Sequence, residues 1–314
     1  MKKFTVVLLT LLFSIALFAS CAPADHTQVR AAFLKGPTGV GAAKLMSDAD
    51  EQYVFTLTGT NDDITAGLLS GNLDIAAVAT NLAAVLAKRT DGNIRILAVN
   101  TLGVLHILSK NGVIASFADL RGKTLVPSGA GAVPEYVLNY LLKANGLEPG
   151  TDVTVEYRSE HAEVASLAVA GNADVVLLPE PFATNLVSKD ASYAYSLDLS
   201  AEYRRITGKD MAMGCLVARA DWADAHPQVV KKFMSDYAAS TSYAVSHTAE
   251  TADLCASLGI IPSAAVAVKA IPKCNIVCLT GNEMKTALSD FYKVLFDSNP
   301  ASVGGSLPAD GIYG

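Results

Sequence analysis

Apolar and polar positions along the chain alternate between two periods. Short apolar or β-branched runs at 29–34, 53–57, 75–78 and 94–100 predict strands. Between them lie a turn at 35–39 with a helix at 40–46, a helix capped by Asn61 or Asp62 that runs to Ser70, and a short helix from Leu82. A strand at 105–108 follows. The rhythm then recurs: strands at 124–126, 153–157, 175–178 and 193–197, with a helix that has Pro134 in its first turn and runs to about Ala144, and another at 161–170. Short apolar strands alternating with helices predict parallel, doubly wound sheets. After 213–217 the pattern turns helical, at 221–247, 250–257, Ala264–Ala270 and 282–297, and these helices are expected to pack on the first unit. The Gly-, Pro- and Ser-rich tail from Pro300 is expected to be irregular.

The recurrence extends to the residues themselves. Residues 71–83 read GNLDIAAVATNLA and residues 171–183 read GNADVVLLPEPFA, an offset of 100 positions. Asp63-Ile64 precedes the first copy as Glu163-Val164 precedes the second. A unit used twice at this distance predicts two similar α/β lobes with a cleft between them. The chain is expected to leave lobe 1 near 102–106 and return near 207–213, which makes a two-segment hinge. The domains are therefore 29–104 with 212–314 as lobe 1, and 105–211 as lobe 2.

The N-terminus changes the picture of where the protein works. Met1-Lys2-Lys3, an apolar run from Phe4 to Ala19 and then Ser20-Cys21 have the layout of a secretory signal. Residues 1–20 are set aside as a leader and 21–28 as a tether. The phrase Leu17-Phe18-Ala19-Ser20-Cys21 resembles a bacterial lipobox, which implies lipidation at Cys21 and a body anchored outside the cytoplasm. Loss of Lys2 and Lys3 with the leader moves the net charge from −6 to −8. An acidic chain without a basic run disfavours nucleic acid as a partner. The hydrophobic fraction of 51% marks a well-buried core. Cys215, Cys255, Cys274 and Cys278 form no CxxC motif and lack nearby His partners, so they read as small buried apolar residues, with a disulfide open as an alternative. No metal or cofactor is expected.

Ligands bind beyond the carboxyl ends of strands in open sheets. Four strand-to-helix turns qualify: 35–39, 80–82, 128–131 and 179–182. The candidates are Lys35, Gly36, Thr38, Gly39, Thr80, Asn81, Ser128, Gly129, Ala130, Gly131, Pro179 and Glu180, with Met213 at the second crossover. Small residues let the backbone approach a solute, and helix N-termini offer N–H groups. The turn at 35–39 lacks the Gly-Lys-Ser/Thr of a Walker loop, and Gly129-Ala130-Gly131 lacks the third Gly of a dinucleotide fingerprint. Glu180, between two prolines, reads either as a solvated turn residue or as an acceptor for an amine or ring N–H. His161 is placed farther from the cleft, after an edge strand. No GxSxG, HExxH or Cys/His arrangement carries catalysis, so the chain reads as no enzyme.

Several of these phrases together resemble the solute-binding proteins of ABC importers: Phe18-Ala19-Ser20-Cys21, Lys35-Gly36-Pro37-Thr38-Gly39, Asp119-Leu120-Arg121-Gly122-Lys123 leading to Ser128-Gly129-Ala130-Gly131, Gly171-Asn172-Ala173-Asp174 and Pro179-Glu180-Pro181-Phe182. The nearest group is the NMT1/THI5-like and SsuA-like one, whose members bind sulfonates, nitrate, taurine and thiamine precursors. The resemblance implies a type II periplasmic binding protein fold, hinged closure around one small polar solute, and delivery to an ABC permease and its ATPase by a monomer. Two alternatives share the fold: a thiamine-precursor or menaquinone-pathway enzyme, and a sensory lipoprotein that does not transport.

Overall fold

The structure, a computed structural model, describes residues 27–112 and 114–314. The leader, most of the tether and Cys21 lie outside the described residues. Strands β1 (Val29–Leu34), β2 (Tyr53–Thr58), β3 (Ile75–Ala79) and β4 (Ile94–Thr101) alternate with helices α1 (Pro37–Ser47), α2 (Asn61–Ser70) and α3 (Thr80–Arg89). A second unit comprises β5 (Leu105–Lys110), β6 (Thr124–Pro127), α4 (Val133–Ala144), β7 (Thr154–Val155), α5 (His161–Val169), β8 (Val175–Pro179), α6 (Phe182–Lys189), β9 (Tyr193–Asp198) and α7 (Leu199–Thr207). The chain then returns through β10 (Gly214–Arg219) to α8 (Ala220–Ala225), α9 (Pro227–Ser246), α10 (Thr248–Ser257), α11 (Ala264–Ala270), β11 (Ile276–Leu279) and α12 (Gly281–Ser298).

Two sheets result, ordered β2-β1-β3-β10-β4-β11 and β7-β6-β8-β5-β9. Without β11 the orders coincide: β1 to β4 occupy the places of β6 to β9, and β10 the place of β5. The repeat seen in the sequence is thus a repeat in space. Gly71 (φ 75°) and Gly171 (φ 76°) end α2 and α5 in the left-handed region that glycine enters without strain. Both sheets are mixed rather than parallel. β10 runs antiparallel to β3 and β4, and β5 antiparallel to β8 and β9. These two strands carry the chain from one lobe to the other and so enter their sheets from the opposite end.

Other expectations shift locally. Thr60, not Asn61 or Asp62, caps α2, accepting a hydrogen bond from Asp63 N at 3.3 Å. β7 shrinks to two residues, and α7 fills a stretch whose periodicity predicted no helix. The C-terminal helices do not all keep to the first sheet: α9 packs on α1, but α11 reaches α6 and α12 reaches α4. Tyr203 of α7 meets Phe291 of α12 edge-on at 6.0 Å. The tail holds two 3-10 turns, and Tyr313 bridges to Ile96 at the sheet edge. The four cysteines at 215, 255, 274 and 278 are free; the first three are buried.

The repeat diverges at its acid. Asp74 is 1% exposed and accepts from Arg30 N at 3.0 Å and Nε at 2.8 Å, while Asp174 is exposed. Hydrogen bonds to a charged group are worth about 1.5–3 kcal/mol each, and Arg30 is free to hydrate when Asp74 is gone. Asp74→Ala should therefore lower stability by about 2–3 kcal/mol in urea unfolding, whereas Asp174→Ala should change it by less than about 0.5 kcal/mol. Equal losses in the two variants would contradict this reading.

Candidate functional site

The carboxyl ends of the central strands of both sheets face one another across a cleft of about 480 Å³, a size suited to a small solute. From the first lobe it is lined by Leu34, Lys35, Pro37 and Thr38 after β1, by the segment 59–62 after β2, and by Ala79 and Thr101 at the ends of β3 and β4. The second lobe supplies Gly129, Ala130 and 132–134 after β6, 159–161 at the start of α5, and 179–182 from the end of β8. Val104 and Leu105 from one crossover and Met213 and Gly214 from the other form the floor. A methyl placed on Gly36 would stand 3.6 Å from Pro181 Cδ, so the two lobes come together at this edge.

The structure thus gathers Lys35, Thr38, Gly129, Ala130, Pro179, Glu180 and Met213 on the cleft wall. Gly36 and Gly39 are buried behind it, and Asn81 and Gly131 face elsewhere. Thr80 is fully buried and spends its polar atoms on the second crossover: its N–H donates to Met213 O at 3.1 Å and its hydroxyl to Ala212 O at 2.7 Å. Ser128 is also fully buried; its hydroxyl donates to Leu177 O at 3.3 Å. Two amides of the expected cradle at 128–131 are also bonded within the protein. Ala130 N donates to Arg158 O at 3.1 Å and Gly131 N to Glu135 Oε2 at 2.8 Å.

His161 replaces Ser128 at the surface of the cleft. Its Nδ1 lies 2.7 Å from Ser128 Oγ, and because that hydroxyl already donates to Leu177 O, the network assigns the ring proton to Nδ1 and leaves Nε2 as an acceptor. The ring packs on Phe182, centroids 5.3 Å apart. The sequence placed His161 farther away because its helix follows the edge strand β7. The N-terminus of that helix nevertheless points into the gap beside that of α6. The segment 59–62 was missed, although β2 ends there by the same strand-end rule that selected the other turns.

Glu180 is 1% exposed and still on the cleft wall. Its backbone N–H donates to Val104 O of the first crossover at 3.0 Å. Its carboxylate accepts from Tyr195 OH and, at 3.3 Å, from Thr184 N. Asp62 and Glu160 sit exposed at the rim. Among the described residues lining the cleft, Lys35 is the lone lysine or arginine. The lobes therefore differ: Lys35 and the N-terminus of α1 supply positive potential on one side, where the first turn of α2 carries Asp62 and Asp63, and Glu180 and His161 Nε2 accept hydrogen bonds on the other.

Burial lowers His161 from the usual imidazole value to about 4. The unfolded chain takes up this proton near pH 6.5, so between about pH 6.5 and 4 the unfolded state binds more protons and stability falls as pH falls, by up to about 1.4 kcal/mol per pH unit. His161→Gln should flatten this part of the stability–pH curve measured by chemical denaturation. An unchanged slope would show that the imidazole is solvated.

Comparison with known proteins places this geometry. A profile of the family described as ABC transporter, phosphonate, periplasmic substrate-binding protein matches residues 42–266. No curated protein matches the chain in sequence. An ABC transporter protein from Parabacteroides distasonis has a similar structure, at 23% identity over 92% of this chain and 99% of that one, with a TM-score of 0.79. The periplasmic aliphatic sulphonate binding protein SsuA of Escherichia coli gives 16% identity, 89% coverage of both chains and 0.71. The periplasmic nitrate-binding protein NrtA of Synechocystis PCC 6803 gives 16% identity, 90% and 83% coverage and 0.62. The fold is that of a type II periplasmic binding protein, with two α/β lobes joined by a two-segment hinge.

Proposed function

The chain belongs to the family of periplasmic substrate-binding proteins of ABC transporters for phosphonates, and from that premise we propose that its cleft takes a small polar solute with an oxyanion at one end and an N–H donor at the other. It is an extracytoplasmic solute-binding component, and members of such systems deliver their solute to a permease and its ATPase. Sulfonate-, nitrate- and thiamine-precursor-like solutes all suit the dimensions. The observation that carries the choice is Glu180, a buried carboxylate facing the same small cavity as Lys35 and the N-terminus of α1. A buried acid is costly unless donors surround it, and a solute N–H completes the set that Tyr195 and Thr184 begin. An oxyanion on the opposite side meets Lys35 and the N-terminus of α1.

Further parts of the reading rest on sequence. The lipobox-like Phe18-Ala19-Ser20-Cys21 supports anchoring through Cys21, and the body works as a monomer divided into 29–104 with 212–314 and 105–211. A solute touching both lobes favours the closed arrangement by its differential affinity.

A thermal-shift screen over sulfonates, phosphonates, nitrate and aminopyrimidines tests the class. A solute present at 100 times its Kd stabilises the fold by about 2.7 kcal/mol. In calorimetry taurine, which carries an amine and a sulfonate, should bind more tightly than ethanesulfonate, and Glu180→Gln should weaken taurine at least about tenfold, about 1.4 kcal/mol. Equal binding of taurine by wild type and Glu180→Gln would remove Glu180 from the site.

A further inference from the structure

Glu180 does not stand alone in the wall of the cleft. Tyr195, on β9, brings its hydroxyl to Glu180 Oε1, and Thr184 Oγ1 lies 2.7 Å from the same hydroxyl. An ionised carboxylate only accepts, so the direction of the chain is fixed: Tyr195 donates to Glu180, and Thr184 donates to Tyr195. Hydrogen bonds linked in this way polarise one another in a buried site. The tyrosine ring is held as well. His106 meets it edge-on at 5.1 Å, and Lys273, from the turn after α11, places its ammonium 5.0 Å from the ring centroid. Burial, with the Glu180 bond added, keeps the Tyr195 phenol protonated well above its ordinary range.

His106 shows what this arrangement prevents. It is 8% exposed, its Nε2 has no hydrogen-bond partner among the described residues, and that atom lies 3.9 Å from Glu180 Oε1. A carboxylate and an unpartnered imidazole at this distance would ordinarily close into an ion pair, which would draw Glu180 away from the cleft. The Tyr195 hydroxyl holds Oε1 in place, and at 3.9 Å the His106 Nε2 stands beyond hydrogen-bonding distance from it. Burial holds His106 below its usual value, with Lys273 also lowering it and Glu180 and Asp198 raising it.

We propose that Tyr195 is a positioning residue for solute recognition, aiming the Glu180 carboxylate at the cleft and holding it off His106, with Thr184 as the donor behind it. This rests on the reading of Glu180 as a solute contact, but the hold of Tyr195 on the carboxylate is measurable without any solute. In Tyr195→Phe the ring and its packing stay while the donor is lost. Glu180 Oε1 then turns to His106, and an opposite charge at that distance favours the imidazolium.

The experiment has two arms. Long-range proton–nitrogen NMR follows the His106 imidazole through pH in the solute-free protein. The His106 midpoint should rise by about 1 pH unit or more in Tyr195→Phe, and by less but in the same direction in Thr184→Val. Calorimetry compares taurine with ethanesulfonate: Tyr195→Phe should cut the preference for taurine about fivefold or more while leaving ethanesulfonate affinity within about twofold, a selectivity change that general loosening of the fold would not produce. An unmoved His106 midpoint in both variants overturns the assignment of Tyr195, whichever solute binds. A midpoint that rises in a protein whose wild type does not prefer taurine upholds the hold on Glu180 and instead refutes Glu180 as the solute contact.

Discussion

A backbone hydrogen bond at each crossover ties the linking segment to the centre of a lobe. Thr80 N donates to Met213 O, and Glu180 N donates to Val104 O. Thr80 and Glu180 occupy the same place in the two copies of the repeat, just beyond β3 and β8. Each lobe thus pins the segment that links it to the other, by the first donor past its central strand. Peptide groups buried at a hinge must find partners, and this solution satisfies them without covering the strand ends. Met213 N also donates to Thr101 O at 3.0 Å, and Asn275 adds further ties, its carbonyl accepting from Leu102 N at 3.0 Å and its side-chain amide donating to Gly103 O. The consequence for function is direct: the residue carrying the cleft carboxylate is also the residue bonded to the hinge.

The chemistry of the cleft follows from which polar groups the fold has already used. Thr80, Ser128 and the amides of Ala130 and Gly131 are committed to structure. What remains on the cleft wall is asymmetric, with Lys35 and the N-terminus of α1 on one side and Glu180 with the neutral His161 on the other. Such polarity orients a small molecule more than it binds it, since a rigid pair of opposed anchors rejects a solute carrying only one of the two groups. Leu34, Val133 and Phe182 give the same wall apolar surface.

Much of this was legible in the sequence, and the exceptions have physical causes. The Gly71 and Gly171 phrases predicted two lobes because a glycine with positive φ, an acid and an apolar strand must follow one another wherever this unit is built. The strand-end rule put Lys35, Thr38 and Glu180 on one cleft. The antiparallel β5 and β10 were illegible because strand direction depends on the side from which the chain enters, and periodicity carries no direction. Thr80 and Ser128 were misjudged since a hydroxyl at a strand end serves a buried carbonyl as readily as a ligand. His161 was placed too far away because the edge position of β7 says nothing about where the next helix starts. The amphipathic α7 escaped notice within a polar stretch, its stripe resting on Leu199 and Tyr203 with half-buried Ile206.

On the proposed function, the duplicated strand ends enclose one solute between them, with its donor end on the second lobe and its oxyanion on the first. A crystal structure of the protein with the tightest-binding solute from the screen tests it most directly. A solute N–H is expected within hydrogen-bonding distance of Glu180, and an oxyanion near Lys35 and the start of α1. A solute held by one lobe alone, or seated outside the gap between residues 35–38 and 179–182, would contradict it.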